Sequence, residues 1–142
     1  MTKKAFYPFL LFFLLLTACA SEDSAENQDT ETIPRNETAP VIMSVETNFS
    51  EKGGWVVVPA KSTELNVTVE TTNAETLLFW IVPTGTETWG ERELIGYDIN
   101  AKDGWNVTWN IAGKSLHHRL VVQALGSDGK TLTDETINIT NE

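Results

Sequence analysis

Residues 41–142 are predicted to form an all-β domain, a sandwich or barrel of seven or eight strands. Three observations point there. Short runs of Val, Ile, Leu, Trp and Thr recur along the segment. Gly, Pro, Asn and Asp punctuate them at fairly regular spacing, and no helical period competes with the two-residue alternation.

Taken in order, 41–46 opens the series and 55–58 follows the break at Gly53-Gly54, ended by Pro59. Leu65, Val67 and Val69 alternate with Asn66 and Thr68, the pattern of a strand with one wet face. Residues 77–82 are apolar on both faces, so that strand is central or carries an exposed apolar face, and Pro83-Thr84-Gly85 stops it. Residues 89–97 read as a return strand. In 105–109, Trp105, Val107 and Trp109 share one face, which is assigned to the core. Residues 116–125 alternate between two largely apolar faces. Ser127-Asp128-Gly129-Lys130 forms a turn whose Asp-Gly tolerates positive φ. In the last strand, 131–140, Ile137 and Ile139 share a face.

The segment before this domain has a different character. Residues 20–40 are mostly Ser, Thr, Asn, Gln, Glu and Asp, with three Ala, one Arg, one Ile and two Pro. Such a composition buries too little apolar surface to offset the entropy of ordering, so 19–40 is predicted to be a disordered tether. As a random coil its ends would lie about 25 Å apart. Ahead of it, Lys3 and Lys4 precede an uncharged apolar run at 5–16, the layout of a secretory signal. The run is shorter than the roughly 20 residues a membrane-crossing helix needs.

That run ends in Leu16-Thr17-Ala18-Cys19, which holds the sole cysteine of the chain. These four residues resemble the lipobox of bacterial lipoproteins. The resemblance implies that 1–18 is a cleaved signal peptide and that Cys19 becomes the lipidated first residue, anchored on the outer face of a cell membrane, or on an outer membrane where the organism has one. The alternative is an ordinary cleavage site at Ala18-Cys19-Ala20, which would leave an exposed odd thiol. Acyl chains explain stable anchoring, since each buried methylene contributes about 0.8 kcal/mol.

The domain carries a second resemblance. Phe79 to Pro83, Leu94-Ile95-Gly96-Tyr97-Asp98, Gly104-Trp105 through Trp109-Asn110, and Leu120-Val121-Val122-Gln123-Ala124 with Ser127-Asp128-Gly129 resemble bacterial immunoglobulin-like domains of surface proteins. This implies a single Ig-like or fibronectin-type β-sandwich over 41–142. The paired cysteines of antibody-type domains are missing, so the core must hold the domain without a disulfide.

Composition bounds the function. The formal charge of −10, made two units more negative by loss of Lys3 and Lys4, argues against nucleic acid as a partner. Neither a G-x-S-x-G elbow, an H-E-x-x-H motif nor a Gly-rich phosphate loop occurs, and Cys19 is assigned to lipid, so no enzyme and no cofactor are expected. His117 and His118 point to opposite faces of a strand and cannot chelate one metal together. Asp98, Asn100 and Asp103 could offer oxygens to calcium, yet the segment lacks the sharp-bend Gly and closing Glu of an EF-hand, and a polar turn explains them better. The N-x-[ST] sequons at Asn36, Asn48, Asn66, Asn106 and Asn138 are read as strand and loop composition.

The tryptophans are the sharpest remaining signal. If Phe79 joins the core, Trp80 stands on an outer sheet face, with Trp89 near a hairpin tip. Exposed rings there would suit a sugar or a protein partner, whereas buried ones would simply cover a small core. The expected function is a non-catalytic, lipid-anchored binding or structural module at the cell envelope. Its partner is the membrane through the lipid, together with a protein or a cell-wall glycan. The alternatives are a carbohydrate- or peptidoglycan-binding module using Trp80 and Trp89, and an accessory or inhibitor domain acting on another surface protein.

Overall fold

A computed structural model of the chain describes residues 39–86 and 88–142. The predicted signal segment with Leu16, Thr17, Ala18 and Cys19, and the tether as far as residue 38, lie outside the described residues. The strands are β1 (Val41–Thr47), β2 (Glu51–Lys52), β3 (Trp55–Val58), β4 (Glu64–Thr72), β5 (Ala74–Pro83), β6 (Glu93–Asp98), β7 (Trp105–Asn110), β8 (His117–Gly126) and β9 (Leu132–Asn141).

They form two sheets, one ordered β1-β4-β7 and the other β2-β3-β9-β8-β5-β6. Neighbours pair antiparallel except β3 and β9, which run parallel. The two layers make a β-sandwich, one of the two all-β forms the alternation predicted and the immunoglobulin-like architecture that the resemblance implied.

The small sheet follows its sequence closely. Leu65, Val67 and Val69 on β4 are buried while the residues between them are exposed. On β7 the buried Trp105 and Trp109 face the same way, and the register sets Leu65 opposite Trp109 and Val69 opposite Trp105. From the large sheet Leu77, Phe79, Ile81, Leu120, Val122, Ala124 and Ile139 close the other side of the core. Fully burying such a side chain contributes roughly 1.5–3 kcal/mol. This inner layer replaces the missing disulfide.

Two glycine-dependent features set the geometry. Gly53 and Gly54, at φ 61° and 80°, form a two-residue hairpin turn that places Lys52 opposite Trp55. The short β2 brings the strands to nine, against the seven or eight predicted. At Gly96 on β6, an added Cβ would fall inside the Val107 side chain, so a residue without one lets β6 close against β7. The β5–β6 pairing also carries a register irregularity between Phe79, opposite Gly96, and Trp80, opposite Leu94.

The predicted return strand at 89–97 is corrected. Trp89–Glu91 form a 3-10 turn, and β6 begins only at Glu93. The cause is local: the Thr88 hydroxyl donates to the Glu91 carboxylate at 2.6 Å, and the Arg92 amide donates to the Trp89 carbonyl at 3.3 Å. That bonding satisfies the backbone within the turn and competes with a sheet ladder.

Candidate functional site

The outer face of the large sheet gathers the side chains that the core leaves unexplained. On β5, Leu78, Trp80 and Val82 point outward because Leu77, Phe79 and Ile81 point in. On β8, Arg119, Val121 and Gln123 do the same opposite Leu120, Val122 and Ala124. Register pairs Val82 with Arg119, Trp80 with Val121 and Leu78 with Gln123.

This face is not simply wet. Val82, Val121 and Gln123 are only 3%, 4% and 6% exposed. The connection after β5 folds back towards them through Trp89 and Arg92. Trp80 and Trp89 meet edge to face, with centroids 5.9 Å apart and planes at 87°. The Arg92 guanidinium carbon lies 4.4 Å from the centre of the Trp89 ring. Arg92 also lines a cavity of ≈ 300 Å³ with Val82, Thr86, Arg119, Val121 and Thr136. Arg92, the residue directly after the 3-10 turn at Trp89–Glu91, is therefore the part of this connection that lines the cavity.

Trp80 and Trp89 are thus brought together, but their perpendicular rings make no flat two-ring platform. Trp80 is half-buried, whereas Trp89 is 63% exposed and supplies the accessible aromatic surface. The Trp80 Nε1 and Arg92 Nε atoms are buried and have no hydrogen-bond partner among the described residues. Buried donors of this kind are ordinarily satisfied.

Asp98, Asn100 and Asp103 occupy the turn between β6 and β7. Asp98 accepts from the Asn100 amide at 2.8 Å and, through its other oxygen, from the Asn106 amide at 2.9 Å. Asn100 accepts from the Lys102 amide at 3.4 Å and caps the 3-10 turn Ala101–Asp103. These oxygens organise the turn. Among the described residues, no group of three or more His, Cys, Asp or Glu side chains is placed to hold a metal ion.

His117 and His118 diverge as strand geometry requires. His117 stacks on Trp55, with centroids 4.7 Å apart and planes at 12°. His118 accepts the His117 amide hydrogen on Nδ1 at 2.9 Å. Partial burial, then the neighbouring His117 and, to a lesser degree, Lys114, lower its pKa against an opposing pull from Glu93. A wider groove of ≈ 670 Å³, lined by Asn48, Phe49, Lys52, Val57 and Pro59 among others, lies apart from Trp80, Trp89 and Arg92.

Sequence reasoning missed Arg92 and Arg119 as parts of this face. The signal available was outward alternation on β8 for Arg119. For Arg92 there was only its place three residues after Trp89.

No family model matches the chain, and no curated protein matches it in sequence. Among solved structures it is similar to fibronectin(III)-like modules of Clostridium thermocellum CbhA, at 18% identity and a TM-score of 0.48, covering 70% of this chain and 96% of that one. It is also similar to part of BC0361, a polysaccharide deacetylase from Bacillus cereus, at 13% identity and a TM-score of 0.49, covering 67% of this chain and 29% of that one. A superoxide reductase (neelaredoxin) from Ignicoccus hospitalis matches at 15% identity and a TM-score of 0.46, covering 73% and 80%. At these identities the likeness concerns the fold.

Proposed function

We propose that this chain is a non-catalytic, lipid-anchored immunoglobulin-like module that holds a binding surface outside the cytoplasm. The observation that carries the reading is Leu16-Thr17-Ala18-Cys19 at the end of an uncharged apolar run. Cys19 is the acylated residue, 1–18 is the signal removed before it, and 19–40 spaces the sandwich from the membrane by about 25 Å as a random coil. The acidic residues of that spacer disfavour contact with anionic lipid head groups.

The test is Cys19→Ser. Metabolic labelling with a lipid precursor should mark the native chain and not the variant, and unprocessed precursor should accumulate. Cleavage and membrane association unchanged in the variant would overturn the anchor.

A second reading, that the bound partner is a cell-wall glycan, is favoured by the exposed Trp89 ring pinned over the sheet by Arg92 and Trp80. Aromatic and arginine side chains held in place are the groups that dominate binding surfaces. Retention of the full-length chain on insoluble cell wall tests it, with elution in the unbound fraction as the contrary result.

A further inference from the structure

We propose that the cavity lined by Arg92, Arg119, Val82, Val121, Thr86 and Thr136, beside the Trp89 ring that Arg92 covers, takes an acidic sugar, a pyranose whose carboxylate is carried on the ring itself. This rests on the glycan reading above and names the chemistry it would recognise.

Charge provides the first argument. The chain has 10 Lys and Arg against 20 Asp and Glu, so its surface broadly repels anions. Both arginines among the described residues, Arg92 and Arg119, nevertheless line this one cavity of ≈ 300 Å³. A guanidinium presents a planar fork of donors that matches a carboxylate in a way an ammonium does not.

Arg92 supplies the second argument. Its side chain lines the cavity, although its Nε is itself buried and is not offered to a ligand. The guanidinium lies over the Trp89 ring, a contact that restrains it and reduces the ordering entropy lost when an anion binds.

Distance provides the third. The guanidinium carbon is 4.4 Å from the Trp89 ring centre, and Trp89 remains largely exposed. A ligand that touches the indole and meets Arg92 must therefore carry its flat apolar surface and its charge within one small unit. A uronic acid does so, with C–H groups on the ring and the carboxylate one bond away. A flexible glycerol phosphate chain offers the charge without the ring. The hydroxyl-bearing Thr86 and Thr136 on the same cavity match the sugar's hydroxyl groups.

The experiment uses the full-length chain in detergent micelles and isothermal titration with a galacturonic acid tetrasaccharide, its methyl ester and poly(glycerol phosphate). The acid should bind at least about tenfold more tightly than the ester, because charge-assisted hydrogen bonds are roughly twice as strong as neutral ones. Poly(glycerol phosphate) should bind weakly, and added salt should weaken the acid more than the ester. Arg92→Gln should remove most of the acid-over-ester preference, and Arg92→Lys should restore only part of it. Near-ultraviolet circular dichroism checks that both variants keep the native packing.

Equal binding of acid and ester would overturn the proposal and leave glycan binding standing. Equal binding of uronate and poly(glycerol phosphate), or an unchanged preference in a folded Arg92→Gln variant, would overturn it as well. Absence of uronate binding by a chain still retained on cell wall would do the same, again without touching the glycan reading.

Discussion

Two tryptophan pairs occupy opposite roles in this domain. Trp105 and Trp109 lie four residues apart on β7, point the same way and are sealed against β4 and the inner face of the large sheet. Trp80 and Trp89 belong to a strand and to the turn that follows it, meet at 87° and stand on the outer face. The first pair is positioned by strand period alone. The second is positioned by a 3-10 turn and an arginine, and it leaves one ring in water. The same side chain thus fills the core where the alternation is strict and builds a surface where the alternation breaks.

The contrast is broken most severely at Trp109. Truncation to Ala removes a buried indole facing Leu65 and should cost about 3–5 kcal/mol. Equilibrium denaturation measures it; a loss below about 1 kcal/mol would show that the inner pair does not hold the sandwich. Gly96→Ala probes the place where the two regions meet. The new methyl group drives β6 from Val107, which lies between the inner tryptophans, and also shifts Leu94, paired with Trp80. A loss of about 1–3 kcal/mol is expected, with the near-ultraviolet signal of the tryptophans altered.

A smaller effect sits in the turn joining β8 to β9, whose carboxylate does not depend on any tryptophan. Asp128 accepts hydrogen bonds from the Thr131 and Lys130 amides and the Thr131 hydroxyl, and these hold its pKa at about 2 against an ordinary 3.8. A carboxylate depressed in the folded state stabilises above its unfolded value, and that contribution is lost as pH falls from about 3.8 towards 2. Melting temperatures followed across that window should fall more for the native chain than for Asp128→Asn, which cannot titrate. Because the group is exposed the difference should be slight, and equal slopes would remove Asp128 as its source.

The strands were largely legible because a two-residue period is a local property. Leu65, Val67 and Val69, or Trp105 and Trp109, declare their face without reference to anything distant. The prediction failed only at 89–92: Leu94 and Ile95 do lie in β6, whereas the residues before them close a 3-10 turn through local bonds among Thr88, Trp89, Glu91 and Arg92. The parallel pairing of β3 with β9, and the stack of Trp55 on His117, join residues far apart in sequence. Register between such segments is decided by the whole fold, and no local pattern encodes it. The candidate site was half legible for the same reason. Outward alternation located Trp80 once Phe79 was placed inside, while the approach of Arg92 to Trp89 depends on how one turn folds back.

The measurement that bears most directly on the division between the pairs is made on Trp89→Ala in the full-length chain, comparing stability with retention on insoluble cell wall. The substitution removes one edge-to-face ring contact and one cation–π contact, so it should cost about 1 kcal/mol, well below the loss at Trp109. Retention should nevertheless fall to the background of wall-free controls. Unchanged retention would contradict the account and return Trp89 to an ordinary exposed side chain on the outer face of the sandwich.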